Sequence, residues 1–588
     1  MTRTALSRRT ALKATGGLVS GLSLSGCLGS APTAEESTSR TFQMIGQPLR
    51  TLDPAQARDS ASTKLVSQLY DGLVHYPKAA LEPELLLAED VGVSADGTTY
   101  TFELKRDVAF SDGSTLTAAD VVYTFERLAG SPHSQWRSTV LDLLGIGHET
   151  RTVETADGTR DEYVPHSLAV DALDDHRVRM RLTEPFYDTL AVLAHPAFGV
   201  VPEGTVGDVE GYDGRIPQET FATSEPVGAG PFTLDVWEQG TEYRVRARSD
   251  YHRSGPVVAG IHWQVISDPT SGFTYALNGN ADAFWIPDEK FDQTKVTVDT
   301  VDEAGRRVGH YGPLRNGATV QYLQVPQMTT FYIGFNAARV ERPVRRAVAY
   351  ALNQQTDLDQ VHENRGITAT HLTPPNLFPE GVAGYEKHAE EYPYGADETR
   401  LEEARTTLAE AGYTPESPAE VTFTTYESAA WQATSRRLRD KLASVGVELT
   451  LEQAPFNTLG TRGEQGSLEM FSWGWGMDYP AAENFVQLLA PSNGAEAFTH
   501  WEGSTAADSA QAAWERIEAH RTASESDQAV RAEACRTMEE ANWKDVVLLP
   551  KYHPIGEGFY YPWVDVPKTG AAGFSKHKYT DVRVSNRD

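Results

Sequence analysis

The feature that most constrains this sequence is a change of texture along the chain. From Thr41 to about Leu323 strand patterns dominate, and from there to about residue 545 strands alternate with amphipathic helices. Val546–Tyr552 then returns to a strand pattern. Alternating strands and helices call for an α/β layer, whereas successive hairpins do not, so one uniform architecture cannot hold both parts. The 588 residues also exceed what a single hydrophobic core accommodates, and at least two domains are expected. Apolar residues make up 40% of the chain, which is enough to fill those cores and excludes wholesale disorder.

Within the first part the punctuation is tight. Ser62–Tyr76 carries Leu65, Val66, Leu69, Tyr70 and Leu73 at helical spacing, so a helix is expected there until Pro77 stops it. Ala95-Asp96-Gly97 reads as a hairpin turn between Glu89–Val93 and Thr98–Leu104, where Tyr100, Phe102 and Leu104 alternate with polar residues. Thr117 and Asp120 have capping-box spacing and open a helix through Leu128. Residues 145–165 are polar and turn-rich, as expected of a surface insertion, and strands resume at His176–Leu182. Val227–Pro231 is a sharp loop feeding strands Phe232–Trp237 and Thr241–Arg248. In the second part Arg342–Asn353, Thr399–Ala411 and Ala430–Ser444 are amphipathic helices, the last leading into strand Val447–Leu451.

The first forty residues read as an address rather than as fold. Ser7-Arg8-Arg9-Thr10-Ala11-Leu12-Lys13 resembles a twin-arginine export motif. The apolar stretch from Ala14 to Leu24 is shorter than the roughly 20 residues that span a bilayer. Leu24-Ser25-Gly26-Cys27 resembles a lipobox. Residues 1–26 are therefore expected to be a signal peptide, Cys27 to carry a lipid, and residues 27–40 to form a flexible tether. No later stretch is long and apolar enough for a transmembrane helix, so a body anchored to the outer face of the cell membrane is expected. The other cysteine, Cys535, lies in the helical pattern Gln528–Lys544 as a small packed hydrophobe, which leaves no disulfide.

Charge narrows the partners. Asp and Glu number 82 against 52 Lys and Arg, a net −30, which argues against nucleic acid because phosphate binding needs clustered cations. Of the cations only 13 are Lys. A Lys-poor surface dense in carboxylates resembles that of haloarchaeal proteins, where molar salt screens charges beyond about 3 Å.

Several blocks then fall in a telling order: Leu52-Asp53-Pro54, Tyr70-Asp71-Gly72-Leu73-Val74, Thr98–Phe102, Phe110–Gly113, Ala118–Tyr123, Pro226–Phe232, Arg342–Ala351, Leu408–Tyr413 and Gly474–Pro480. In this order they resemble the extracytoplasmic solute-binding proteins of ABC transporters, the family 5 of oligopeptide and dipeptide binders. The resemblance implies an α/β, two-lobed periplasmic-binding-protein-like fold of type II, in the large peptide-binder class. Lobe one would span 41–326 with an extra subdomain at about 75–224, lobe two 327–549, and residues 550–588 would return to lobe one. Hinge crossings are expected near Gln324–Thr329 and Leu548–Lys551. The implied function is a monomeric receptor that captures a peptide or peptide-like solute and delivers it to ABC permease subunits, with no cofactor and no metal.

Phe471–Pro480 is the richest candidate for the ligand site. Trp473 and Trp475 offer flat stacking surfaces, Gly474 and Gly476 allow close backbone approach, and Asp478 and Tyr479 add polar groups. In peptide-binding relatives the Asp at this position accepts the ligand's α-ammonium, which assigns that role to Asp478. Arg58, Asp59 and Ser60 fall in a loop that edges the cleft in relatives, and Gly228 and Gly230 could bring backbone near the ligand. Some dipeptide binders clamp the ligand carboxylate with an Arg at the start of the helix Ala430–Ser444. This chain has Trp431, Gln432 and Ala433 there, with Arg436 and Arg437 up to a turn later, so a longer peptide or a cationic solute also fits. On the same fold an oligosaccharide or a nickel chelate is the alternative solute. A secreted hydrolase is the rival class, and the chain carries neither G-x-S-x-G nor H-E-x-x-H for it.

Overall fold

The computed structural model describes residues 40–155, 158–302 and 305–587. The expected signal peptide, Cys27 and the tether up to residue 39 lie outside the described residues. Strand β1 (Thr41–Gly46) is followed by helix α1 (Ser60–Leu69). Asp59 caps α1, its carboxylate accepting Ser62 N–H at 2.9 Å. The helix ends at Leu69, short of the expected Tyr76, because Tyr70 is already extended at φ −124° and ψ 149°. Residues 74–75 then pair with residues 84–85. Tyr70 and Leu73 keep helical spacing and are buried, but beyond the end of the helix, so periodicity alone overruns the boundary.

Strands β2 (Ala88–Val93) and β3 (Thr99–Leu104) form the expected hairpin. Helix α2 (Ala118–Gly130) begins at Thr117, whose N–H donates to Asp120 Oδ2 at 2.7 Å. Strands β4 (Val170–Asp174) and β5 (Arg177–Arg181) complete an antiparallel sheet ordered β2-β3-β5-β4. The polar 145–165 segment forms a separate hairpin, Thr150–Thr155 with Gly158–Tyr163. Phe102, Phe110, Val121, Phe125 and Phe198 fill the core beneath this sheet. Buried Arg127 of α2 reaches both Asp53 and Asp208 at 2.8 Å, tying this unit to the chain that precedes α1.

A meander of β6 (Phe232–Glu238), β7 (Glu242–Ala247) and β8 (Gly260–Val265) follows, and β8 lies parallel to β1. Strands β9 (Val320–Pro326) and β10 (Thr329–Phe335) are separated only by Gln327 and Met328. Then the alternation begins: α3 (Arg342–Ala351), α4 (Leu401–Glu410), β11 (Ala419–Tyr426), α5 (Ala429–Ala443), β12 (Val447–Ala454) and β13 (Met470–Gly476). Strand β11 runs parallel to β12 and β13, while β13 runs antiparallel to β10. Helix α6 (Glu525–Asp545) buries Cys535 among Met538, Ala541 and Leu548. Among the described residues no helix is long and apolar enough to cross a membrane.

Strand β14 (Leu548–Tyr560) joins the two textures. Leu548–Pro550 and Tyr552 pair with β10, with a bulge at Lys551, and Ile555–Tyr560 pair with β9. The change of partner falls at Pro554, which has no N–H for a ladder and whose carbonyl accepts Gln327 N–H at 3.0 Å. After β14 the chain lies back on α1. Asp71, fully buried, meets Lys578 Nζ at 2.7 Å, His252 Nε2 at 2.7 Å and Tyr251 OH at 2.9 Å. Burial alone would raise its pKa, but Lys578 and His252 together hold the carboxyl well below the usual carboxylate range.

The early and late parts also touch at a rim. Tyr479 packs edge-on to Phe186 at 5.6 Å. Arg531 lies over the Tyr187 ring at 3.5 Å while paired with Glu483 at 3.0 Å.

Candidate functional site

Segments remote in sequence wall one cavity of about 420 Å³: the start of α1, residues 327–329, the end of β13 with the residues just past it, and residues 571–576, together with Trp136 and His195. Each is fixed by its own local chemistry. Past β13, Met477 N–H donates to Met328 O at 2.9 Å, which pins the segment to the β9–β10 connection. Asn484 Oδ1 accepts Asp478 N–H at 2.9 Å and Trp475 Nε1–H at 3.3 Å, orienting Asp478 toward the cavity it lines. Burial raises the Asp478 pKa, against the opposite pull of Arg58, Asn484 and Lys576.

The other walls are cationic and aromatic. Arg58 lies over the Trp136 ring at 4.4 Å and donates from Nε to Gln135 O at 3.1 Å. Trp136 in turn packs on His195 at 4.3 Å. Burial, with Lys576 and Arg58 close by, holds the His195 imidazole well below its ordinary pKa, so it is neutral. Lys64 lines the wall one turn of α1 beyond Ser60, and burial lowers its pKa. Lys576 is pushed down to about 8 by burial, with Asp478 opposing that shift. The charged groups facing the cavity are thus one carboxylate and three cations.

Of the residues singled out from sequence, Asp478, Gly476, Arg58 and Ser60 line this cavity together. Asp59 is the cap of α1. Trp473 and Trp475 pack against the cluster containing Leu459, Phe471 and Phe498; Trp473 stacks on Phe456 at 4.6 Å. Tyr479 is buried at the rim with Phe186. Gly228 and Gly230 lie against the end of α1, where a Cβ on either would come within 2.4 Å of Leu69 backbone atoms, so close packing explains both glycines.

Lys64, Trp136, His195 and Lys576 were not singled out. A signal existed for the lysines: in a chain with 13 of them, Lys576 and Lys578 stand almost together. A larger cavity of about 670 Å³ shares Gln327 and Met328 with the first and is edged by Glu386, Glu390 and Arg400. It contains none of the residues singled out from sequence. Among the described residues no group of three or more His, Cys, Asp or Glu is placed to hold a metal ion.

A charged cavity lined from the early, middle and late parts of the chain sits in a mixed α/β fold that matches the two-lobed periplasmic binding proteins. The model of the bacterial extracellular solute-binding proteins, family 5, matches residues 82–497, and the chain belongs to that family. Among curated proteins it is similar to the glutathione-binding protein GsiB of Escherichia coli O1:K1, 25% identical over 441 residues, which cover 73% of each chain. Among solved structures it is similar to HbpA2 from Haemophilus parasuis, with TM-score 0.71 at 19% identity, covering 93% of this chain and 100% of that one. It also matches Haemophilus influenzae OppA in complex with the peptide RPPGFSPFR, with TM-score 0.67 at 18% identity over 93% and 99% of the two chains.

Proposed function

We propose that this protein is the receptor of an ABC importer for a short peptide, captured between two lobes and passed to membrane permease subunits. In this reading lobe one comprises residues 41–326 and 550–588, lobe two comprises 327–549, and β14 with the β9–β10 connection forms the hinge. The single observation that carries the reading is Asp478, presented by Asn484 into a cavity whose walls come from both ends of the chain. A carboxylate so placed accepts a ligand ammonium through a charge-assisted bond, which strengthens when closure removes water. The relatives named above bind glutathione and a nonapeptide, which supports a peptide ligand without fixing its length. Trp473 and Trp475 are half-buried against the Phe498 cluster and Trp473 gives one face to Phe456 at 4.6 Å, which counts against a sugar-stacking role. Lipid at Cys27 after twin-arginine export, a monomeric body and life in strong brine complete the proposal.

Thermal shift in molar KCl tests it, with peptides, cello-oligosaccharides and nickel chelates as probes. A ligand that binds the native state raises the melting temperature. Peptides are expected to do so; a shift with a sugar or a chelate and none with peptides would overturn the reading.

A further inference from the structure

The charge of the cavity runs against the charge of the molecule. Acids outnumber bases 82 to 52 overall, yet Arg58, Lys64 and Lys576 face the cavity against Asp478 alone. Several buried cations elsewhere are neutralised by carboxylates, although buried Arg345 is held by the backbone carbonyls of Asp545 and Val340 instead. Arg127 has Asp53 and Asp208 at 2.8 Å, Lys551 has Asp357 at 2.7 Å, and Lys578 has Asp71 at 2.7 Å. Among the described residues none of the three cavity cations has a carboxylate within ion-pair distance. Arg58 is spent on the Gln135 carbonyl, and Lys576 Nζ reaches only Ala572 O at 3.5 Å. Arg58 is exposed and Lys64 and Lys576 are half-buried, so what they share is a place on one cavity wall, which carries three cations against one carboxylate and therefore a positive field that strengthens when closure excludes water.

Resting on the reading of the chain as a peptide receptor, we infer that this cavity selects peptides of net negative charge. It would bind the ligand's ammonium at Asp478 and two or more carboxylates among Arg58, Lys64 and Lys576. One ammonium against Asp478 leaves the three cations to be matched, which a neutral peptide with a single carboxylate does not achieve and a basic one worsens. Molar salt screens surface charges within about 3 Å, but buried pairs are screened much less, so the selectivity survives in brine. The same argument removes the cationic solute that the sequence left open.

The test is isothermal titration of the full chain in molar KCl with Ala-Glu-Ala, its uncharged near-isostere Ala-Gln-Ala, and Ala-Lys-Ala. Affinity is expected to fall in that order, by roughly tenfold from Glu to Gln. Lys576→Met should weaken Ala-Glu-Ala more than Ala-Gln-Ala and so bring the Glu-to-Gln ratio toward one. Lys64→Gln should move the ratio the same way, which keeps the test open if Lys576→Met does not fold. Equal binding of the Glu and Gln peptides, or tighter binding of the Lys peptide, would overturn the charge selectivity and leave the peptide receptor standing. Binding of none of the three, with a sugar or chelate bound instead, would overturn the receptor reading and this inference with it.

Discussion

Lys576 and Lys578 lie two residues apart on the returning segment, yet their ammonium groups meet different surroundings. Lys578 is an internal tie: it pairs with fully buried Asp71 at 2.7 Å and donates to the carbonyls of Ser67 and Tyr70 at the end of α1. Lys576 faces the cavity, with Asp478 as the only carboxylate on that wall and no ion pair of its own. One lysine completes the fold and the other is left incomplete by it. A charge whose partners are all internal contributes to holding the native state together, whereas a cavity-facing charge without an ion pair is left to meet a ligand.

That contrast can be broken by experiment, and the largest effect should come from the internal tie. Lys578→Met leaves Asp71 buried without its main counter-charge and should cost about 3–5 kcal/mol of stability. Urea unfolding in molar KCl measures this; a loss within error of zero would mean that Lys578 is no tie. Lys576→Met, measured the same way, should leave the ligand-free protein as stable or slightly more so.

Next in size is Asp478→Asn, expected to cost peptide affinity about 1.5–3 kcal/mol, the worth of a charged hydrogen bond, with little change in stability. Titration calorimetry reads the first and thermal melting the second. Affinity that stayed the same would take Asp478 out of the site.

Titration sharpens the comparison with smaller effects. Burial lowers the Lys576 pKa from 10.5 to about 8, so between those pH values the unfolded chain holds a proton the folded one has released. The ligand-free protein should therefore gain stability as pH rises across that window, a slope that Lys576→Met removes. Asp71 shows the opposite situation. Its pKa is held below the ordinary 3.8, so its contribution is present above that pH and is lost as the solution is acidified through the folded value. A pH–stability profile in which Lys576→Met matched the wild type above pH 8 would contradict the assignment of Lys576 as the unpaired lysine.

Much of the fold is legible in the sequence because its signals are local. Ala95-Asp96-Gly97, the Thr117–Asp120 cap and the strand–helix alternation after Leu323 each depend on neighbours a few residues away, and each recurs in the structure. The end of α1 is not legible, since Tyr70 and Leu73 satisfy a helical period and are buried from beyond the helix end instead. The candidate site divides in the same way. Asp478 stands out through its block and its family resemblance, but Lys64, Trp136 and Lys576 meet it only because remote segments converge. Nothing near Lys576 or Lys578 in sequence says which one finds a carboxylate, because Asp71 lies some five hundred residues earlier.

The most direct test of the central claim is a pairwise titration in molar KCl. Ala-Glu-Ala would be compared with its N-acetylated form, on the wild-type chain and on Asp478→Asn. If Asp478 receives the ligand's ammonium, acetylation should weaken wild-type binding by roughly tenfold or more and matter little to the variant. Equal loss on both proteins, or no loss on the wild type, would contradict it.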